Sequence, residues 1–217
     1  MVQLQAKTLP ERALIPPFLF FFLKLYPPSW SASPRSRTAG AAGGCILLRS
    51  DALQRIGGLA GIRSEVIDDC ALAQAVKSSN GKIWMGLTRA SVSLRTYTTF
   101  REIRDMIART AFTQLRYSQL LLIGTLLAMC LTYLAPIALL FAPSPAPRIL
   151  ATSTWLLITL LYLPTIRFYR LSPAWAATLP LAALFYTSAT ALSAARYYAG
   201  RGAQWKGRTQ APPVSSA

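Results

Sequence analysis

Two adjacent carboxylates, Asp68 and Asp69, are the strongest chemical candidates in this chain. There is no histidine, so the commonest general base is missing and acid–base work falls to carboxylates. Only 7 Asp and Glu stand against 23 Lys and Arg, and none of the acids lies beyond Asp105. A carboxylate of raised pKa can take a proton from an attacking hydroxyl, and a like-charged neighbour is one way to raise it. The plain alternative is that the pair serves the first turn of a helix, where the dipole favours acids. A second cluster, Thr113-Gln114-Leu115-Arg116-Tyr117, sets a guanidinium beside an aromatic ring just before a long apolar segment. There Arg116 suits either an anionic ligand or a juxtamembrane anchor. Cys45, Cys70 and Cys130 lack CxxC spacing and predict neither a zinc site nor a disulfide framework; Cys45 and Cys70 read as small core residues.

Elements must position these groups. Apolar residues Leu72, Ala75 and Val76 recur at helical spacing and predict a helix from Asp68 to Ser78 with the acidic pair at its start. Gly43-Gly44 precedes a short apolar run, residues 45–48, that reads as a buried strand. A short helix follows over residues 49–56, with Ser50 or Asp51 as cap and Gly57-Gly58 as stop. Asn80-Gly81 is a turn signal, with strand-like runs at 82–87 and 90–95 behind it. Residues 100–117 form a basic amphipathic pattern, read as a helix lying on a membrane surface. The run at 14–23, about ten residues against the ~20 needed to span, suits an interfacial segment or a buried helix.

Composition places the chain in the membrane class: 53% of its 217 residues are hydrophobic and 14% charged. Segments 120–142, 149–166 and 174–195 are each long enough to span. The net charge of +16 is spread around apolar segments without a dense basic run, which favours a membrane surface over nucleic acid. Most positive charge precedes the first span, so that part is expected to face the cytoplasm. Three full crossings would then put Arg196, Arg201, Lys206 and Arg208 outside, against the rule.

Four strings occur in one order: Ala41-Ala42-Gly43-Gly44-Cys45 running on to Gly57-Gly58, Ile67-Asp68-Asp69, the 113–117 cluster, and Trp205-Lys206-Gly207-Arg208. Together they resemble the membrane-bound family 2 glycosyltransferases, and in wording and spacing the hopene-associated glycosyltransferases, relatives of ceramide glucosyltransferase. Thr113 stands where that family has Gln or Arg, Gln114 comes one position late, and Tyr117 replaces Trp. The resemblance implies an α/β fold, the C-terminal part of a GT-A-like catalytic domain over residues 1–117. About three transmembrane segments over 118–199 and a basic tail over 200–217 would follow. It implies sugar transfer from a nucleotide-sugar donor to a hopanoid-like lipid acceptor, in a multi-pass protein of the cytoplasmic membrane. Asp69 would be the base and Asp68 its neighbour. Arg116, with Gln114 and Tyr117, would meet the diphosphate or stack on substrate. Gly43 and Gly44 would admit the acceptor close to backbone, or simply form a tight turn. The complete enzyme is expected to use Mg or Mn, whose ligands are not in this chain: no Asp-x-Asp occurs in it. The nucleotide-binding half is expected upstream of Met1, which would leave the chain inactive alone. The contrasting reading is a non-catalytic, truncated membrane protein in which Asp68 and Asp69 cap a helix.

Overall fold

The computed structural model describes residues 1–63, 65–201, 203–205 and 208–210. It divides into two units, residues 1–5 with 19–96, and residues 6–18 with 97–217. Helix α1, Leu9–Leu25, passes its first half to the second unit and its last turns to the first.

In the first unit α2 is Pro28–Ala32, α3 is Ser50–Arg55 and α4 is Asp68–Ser78. Helix α4 begins and ends where its spacing predicts, and buries Cys70, Ala73 and Val76, a face repeating every three residues. Helix α3 forms too, but Arg49 precedes it without any side-chain cap, so neither Ser50 nor Asp51 caps it. Gly57 and Gly58 end it at φ 75 and 76, a conformation that a Cβ disfavours.

The expected α/β fold does not form. Among the described residues the only ladder is a two-stranded hairpin, β1 (Ala203–Trp205) with β2 (Arg208–Gln210), and no sheet underlies α3 and α4. Residues 45–48 form no strand, Cys45 lying in a bend, and Leu47 is fully exposed. A strand is a paired object, so an apolar run makes one only where a second backbone lies alongside. Runs 82–87 and 90–95 come nearest to pairing. Gln3 makes one parallel bridge to Val92, and the Ser93 N–H donates to the Gln3 carbonyl at 2.8 Å. The Met1 ammonium donates to the Gly86 carbonyl at 2.7 Å. Asn80-Gly81 closes α4 instead of a hairpin: Asn80 adopts φ 60, and the Gly81 N–H donates to the Val76 carbonyl at 2.9 Å.

The second unit is helical. The apolar run at 14–23 is part of a buried helix, with Leu14, Ile15, Pro16, Pro17 and Leu19 all inside. Helix α5, Phe100–Gln114, starts with a capping box: the Thr99 hydroxyl accepts from the Glu102 N–H while the Glu102 carboxylate accepts from the Thr99 N–H. It buries Ile103, Ile107, Ala108 and Phe112 against α9, Leu179–Tyr198. Each large apolar side chain so buried contributes about 1.5–3 kcal/mol. Between them lie α6 (Gln119–Met129), a π-turn (Cys130–Leu134), α7 (Ala135–Leu139), α8 (Pro145–Phe168) and a 3₁₀ segment (Pro173–Thr178). Gln119–Leu139, Pro145–Phe168 and Pro173–Tyr198 are long and apolar enough to cross a membrane.

Candidate functional site

The predicted residues fall into two places, one in each unit. In the first unit, the start of α4 meets the glycine loop. Asp69 Oδ2 accepts from the Gly43 N–H at 2.7 Å, and its Oδ1 accepts from the Cys70 N–H at 2.8 Å. Asp68 Oδ1 accepts from the Asp69 N–H at 3.0 Å and is otherwise exposed. Ile67 occupies the cap position without capping, so the two acids satisfy first-turn donors from inside the helix. One oxygen of Asp69 reaches 26 residues back along the chain, which a merely helix-closing acid has no need to do.

Space beside both glycines is tight. A Cβ on Gly43 would stand 3.3 Å from Asp69 Oδ2, and one on Gly44 would stand 2.7 Å from Val2 Cγ2. Beneath the acids, the Cys70 Sγ lies 3.6 Å from the Ala41 carbonyl. Burial, with the neighbouring Asp69 charge, pushes the Cys70 thiol up, which suits an inert core residue. Cys45 is exposed, so it is not the small core residue its run predicts.

In the second unit, Gln114 ends α5 and the chain turns through Arg116 and Tyr117 at φ 52 and 55. Two consecutive left-handed residues other than glycine hold about 1–3 kcal/mol of strain each. The turn is held by the Arg116 N–H on the Thr113 carbonyl at 2.8 Å and by the Tyr117 N–H on the Phe112 carbonyl at 3.1 Å. Arg116 is exposed. The Tyr117 ring stacks on Tyr197 at 4.6 Å and meets Phe112 edge-on at 5.6 Å, while the hydroxyls of Tyr117 and Thr113 bond at 3.0 Å. Thr113, a departure from the family string, thus anchors the other departure.

Three polar residues outside the candidate site do structural work. Glu11 is wholly buried and accepts from the N–H groups of Lys7, Thr8 and Tyr97 at 2.9, 3.0 and 2.8 Å. Burial pushes its carboxyl up, but those donors together outweigh it and hold the group below its ordinary value. Lys77 donates to the carbonyls of Trp30, Ser31 and Thr38 at 3.0, 2.8 and 2.6 Å, pinning the 30–38 loop to α4, and burial lowers its ammonium. Asp105 takes Arg196 at 2.7 Å and Arg104 at 3.0 Å; burial raises its carboxyl, and the two guanidiniums bring it below the usual range. Glu11 carried a recognisable signal, since Thr8-x-x-Glu11, like Thr99-x-x-Glu102, is a capping-box string: the Glu11 N–H donates to the Thr8 hydroxyl at 3.3 Å while the Glu11 carboxylate accepts from the Thr8 N–H at 3.0 Å.

Trp205-Lys206-Gly207-Arg208 falls partly outside the described residues, since Lys206 and Gly207 are among those left out; residues 211–217 of the tail are outside as well. Within the described part, Trp205 and Arg208 are partners in the β1–β2 hairpin.

A family model described as glycosyl transferase family 21 matches residues 24–210. No curated protein and no solved structure matches the chain.

Proposed function

Because the chain belongs to glycosyl transferase family 21, we propose that it serves transfer of a sugar from a nucleotide-sugar donor to a lipid acceptor at a membrane. The hopanoid-like character of the acceptor rests on the resemblance of the four strings. The observation that carries the reading is the Gly43 to Asp69 hydrogen bond, which joins two of those strings at one carboxylate.

In this reading Asp69 is the general base. Each of its oxygens takes one backbone N–H, which fixes the carboxylate and leaves each oxygen a further lone pair for the acceptor hydroxyl. As that hydroxyl attacks the anomeric carbon, its proton passes to Asp69 and the bond to the nucleoside diphosphate breaks with inversion. Positioned proton transfer of this kind is worth roughly 10²–10⁴ in rate. Asp68 supports the first turn and adds a negative charge next to the base. Arg116 keeps the role that the resemblance implies, a planar cation of the kind that matches a diphosphate leaving group. Tyr117 is then a positioning residue, since its ring already contacts Phe112 and Tyr197, and Gln114 keeps the substrate-binding role that the resemblance implies.

A divalent metal remains part of the proposal, but the residues here do not fit it. Among the described residues no three His, Cys, Asp or Glu come together as a metal site, and both Asp69 oxygens face backbone donors. No step is therefore routed through a metal.

The contrasting reading, in which the acids only close a helix, draws on the two first-turn contacts. Transfer of label from nucleotide sugars to membrane lipid separates the two, with substitutions made at the native locus. Asp69→Asn is expected to lower transfer about 100-fold or more while the protein remains in the membrane. The structure adds a control: an Asn offers one oxygen where Asp69 uses two, so either the Gly43 or the Cys70 contact is lost. Asp69→Glu, which keeps a carboxylate, and Asp68→Asn, which keeps the base, are expected to retain more activity. Equal, near-normal transfer in all three variants would overturn the catalytic reading. Absence of any lipid labelling by the unsubstituted protein would overturn the transferase reading itself.

A further inference from the structure

The three long apolar helices are not alike in what covers them. In Gln119–Leu139 and Pro145–Phe168 only 11% and 22% of the apolar window is buried within the protein, against 44% in Pro173–Tyr198. Helices α6 with α7, and α8, are joined by the short connection 140–144, and α7 packs on α8. They form a hairpin, so α8 ends on the face of the bilayer where α6 starts.

The end of α9 returns to that same place. Tyr117 immediately precedes Ser118, the cap of α6, and its ring stacks on Tyr197 near the end of α9. Phe112 meets Tyr197 and Tyr198 as well, at 5.3 and 5.7 Å. A helix that crossed after α8 would leave its far end about 30 Å away on the opposite face. The middle of α9 is also tied to α1. The Tyr186 hydroxyl donates to the Leu14 carbonyl at 2.8 Å, one turn from buried Glu11 and next but one to exposed Arg12. From there on α5 covers α9 in parallel. Phe100 lies 6.4 Å from Phe185, the Phe112 N–H donates to Ser193 Oγ at 3.0 Å, and Arg196 pairs with Asp105 at 2.7 Å. The outward face of α5 carries exposed Arg101 and Glu102, which hydrocarbon does not accept.

We propose that α9 does not cross the bilayer: the Trp155 indole donates to the Ala177 carbonyl at 3.2 Å, so α9 begins beside the middle of α8, runs back beside the π-turn and α6, and ends on the face where α6 begins, and the chain crosses twice. Charge agrees with it. With two crossings, Arg101, Arg104, Arg116, Arg167, Arg170, Arg196 and Arg201 share one face, and only Arg148 of the span-flanking arginines lies on the other. The conflict that three crossings create with the positive-charge rule disappears.

The test is the sidedness of the tail. In a chain whose Cys45, Cys70 and Cys130 are replaced by serine, single cysteines are placed as Arg101→Cys, Ser144→Cys and Arg201→Cys. A membrane-impermeant maleimide is applied to right-side-out and inverted vesicles. Arg201→Cys is expected to label in the same vesicles as Arg101→Cys, and Ser144→Cys in the opposite ones. Labelling of Arg201→Cys together with Ser144→Cys would overturn the proposal. Should the serine background fail to fold, protease-cleavable epitopes inserted after Ser144 and after Ala217 of the unsubstituted chain read the same quantity. Cleavage from opposite faces supports two crossings, and cleavage from one face overturns them.

Discussion

The two units expose apolar side chains in different ways. In the second unit exposed leucines such as Leu120 and Leu160 lie on helices, whose backbone groups are already bonded within the helix. In the first unit Leu47, Trp84 and Leu94 lie on irregular segments outside any helix or ladder. The first kind of surface can face hydrocarbon, because no backbone polar group is left open to it. The second kind cannot, since a backbone outside any helix or ladder needs water or another backbone at its side. The second unit is therefore built to meet lipid and the first to meet water or protein, although their residues are similarly apolar.

The largest effect expected from breaking this contrast is at Glu11, the buried acid of the second unit. Glu11→Ala leaves the N–H groups of Lys7, Thr8 and Tyr97 without their acceptor. At about 1–3 kcal/mol for each orphaned group, a loss of at least ~3 kcal/mol is expected in detergent-solubilised thermal unfolding. Glu11→Gln, which keeps one acceptor oxygen, is expected to lose less. The pH dependence follows from the lowered carboxyl. Its contribution is complete above the ordinary value of 4.5 and is lost as pH falls through the lower folded value. A stability that stays flat across that acid range, or a silent Glu11→Ala, would contradict the role.

Next comes Asp69 in the first unit. A 100-fold fall in transfer for Asp69→Asn corresponds to about 2.7 kcal/mol of barrier. A companion, Arg116→Gly, isolates the guanidinium in the second unit. Glycine accepts φ 52 without strain, so the turn is kept or improved while the cation is removed. Lower transfer with unchanged or higher thermal stability is the expected pair of results. A stability loss without a change in transfer would make Arg116 an anchor only.

What could be read from residue order follows the same division. Helix α4 was legible to the residue because its apolar spacing and its first-turn acids are local signals. The three apolar segments were legible from length alone, within a few residues of the helices that form. Runs 45–48, 82–87 and 90–95 carried the same local strength, yet strands are non-local, and the ladder that would make them strands is absent among the described residues. At the candidate site, Asp68, Asp69 and Gly43 were named from their strings, but the bond between Gly43 and Asp69 depends on a 26-residue loop closing in one way. Lys77 escaped because it acts on backbone carbonyls far along the chain, whereas Glu11 stood in a legible Thr8-x-x-Glu11 string and only its bond to the Tyr97 N–H, 86 residues away, was out of reach.

A smaller effect is expected at Asp105. Both it and Arg196 are more than a third exposed, so their close contact is screened. Replacing Asp105 with Asn is expected to cost about 1 kcal/mol or less in thermal unfolding. A loss several times greater would show that α5 and α9 are held together chiefly by this pair and not by Ile103, Ile107 and Phe112.

The smallest effect, and the sharpest on the contrast between the units, is at Leu47. A leucine wholly open to water gives up no burial when it becomes serine, so Leu47→Ser is expected to change stability by no more than about 0.5 kcal/mol. Ile103→Ala, at a site with no exposure, is expected to cost about 2–5 kcal/mol under the same conditions. Trp84→Ser extends the comparison, because a tryptophan covered by a partner would lose far more than a leucine. If Leu47→Ser and Trp84→Ser are silent in detergent but destabilise the protein in its native membrane, something present there covers the irregular segments. Detergent imitates lipid, so lipid is then not the cover, and the difference points to polypeptide pairing along 45–48 and 82–87. If both are silent in both settings, the first unit stands open to water, and the separation drawn between its surface and that of the second unit holds without a partner.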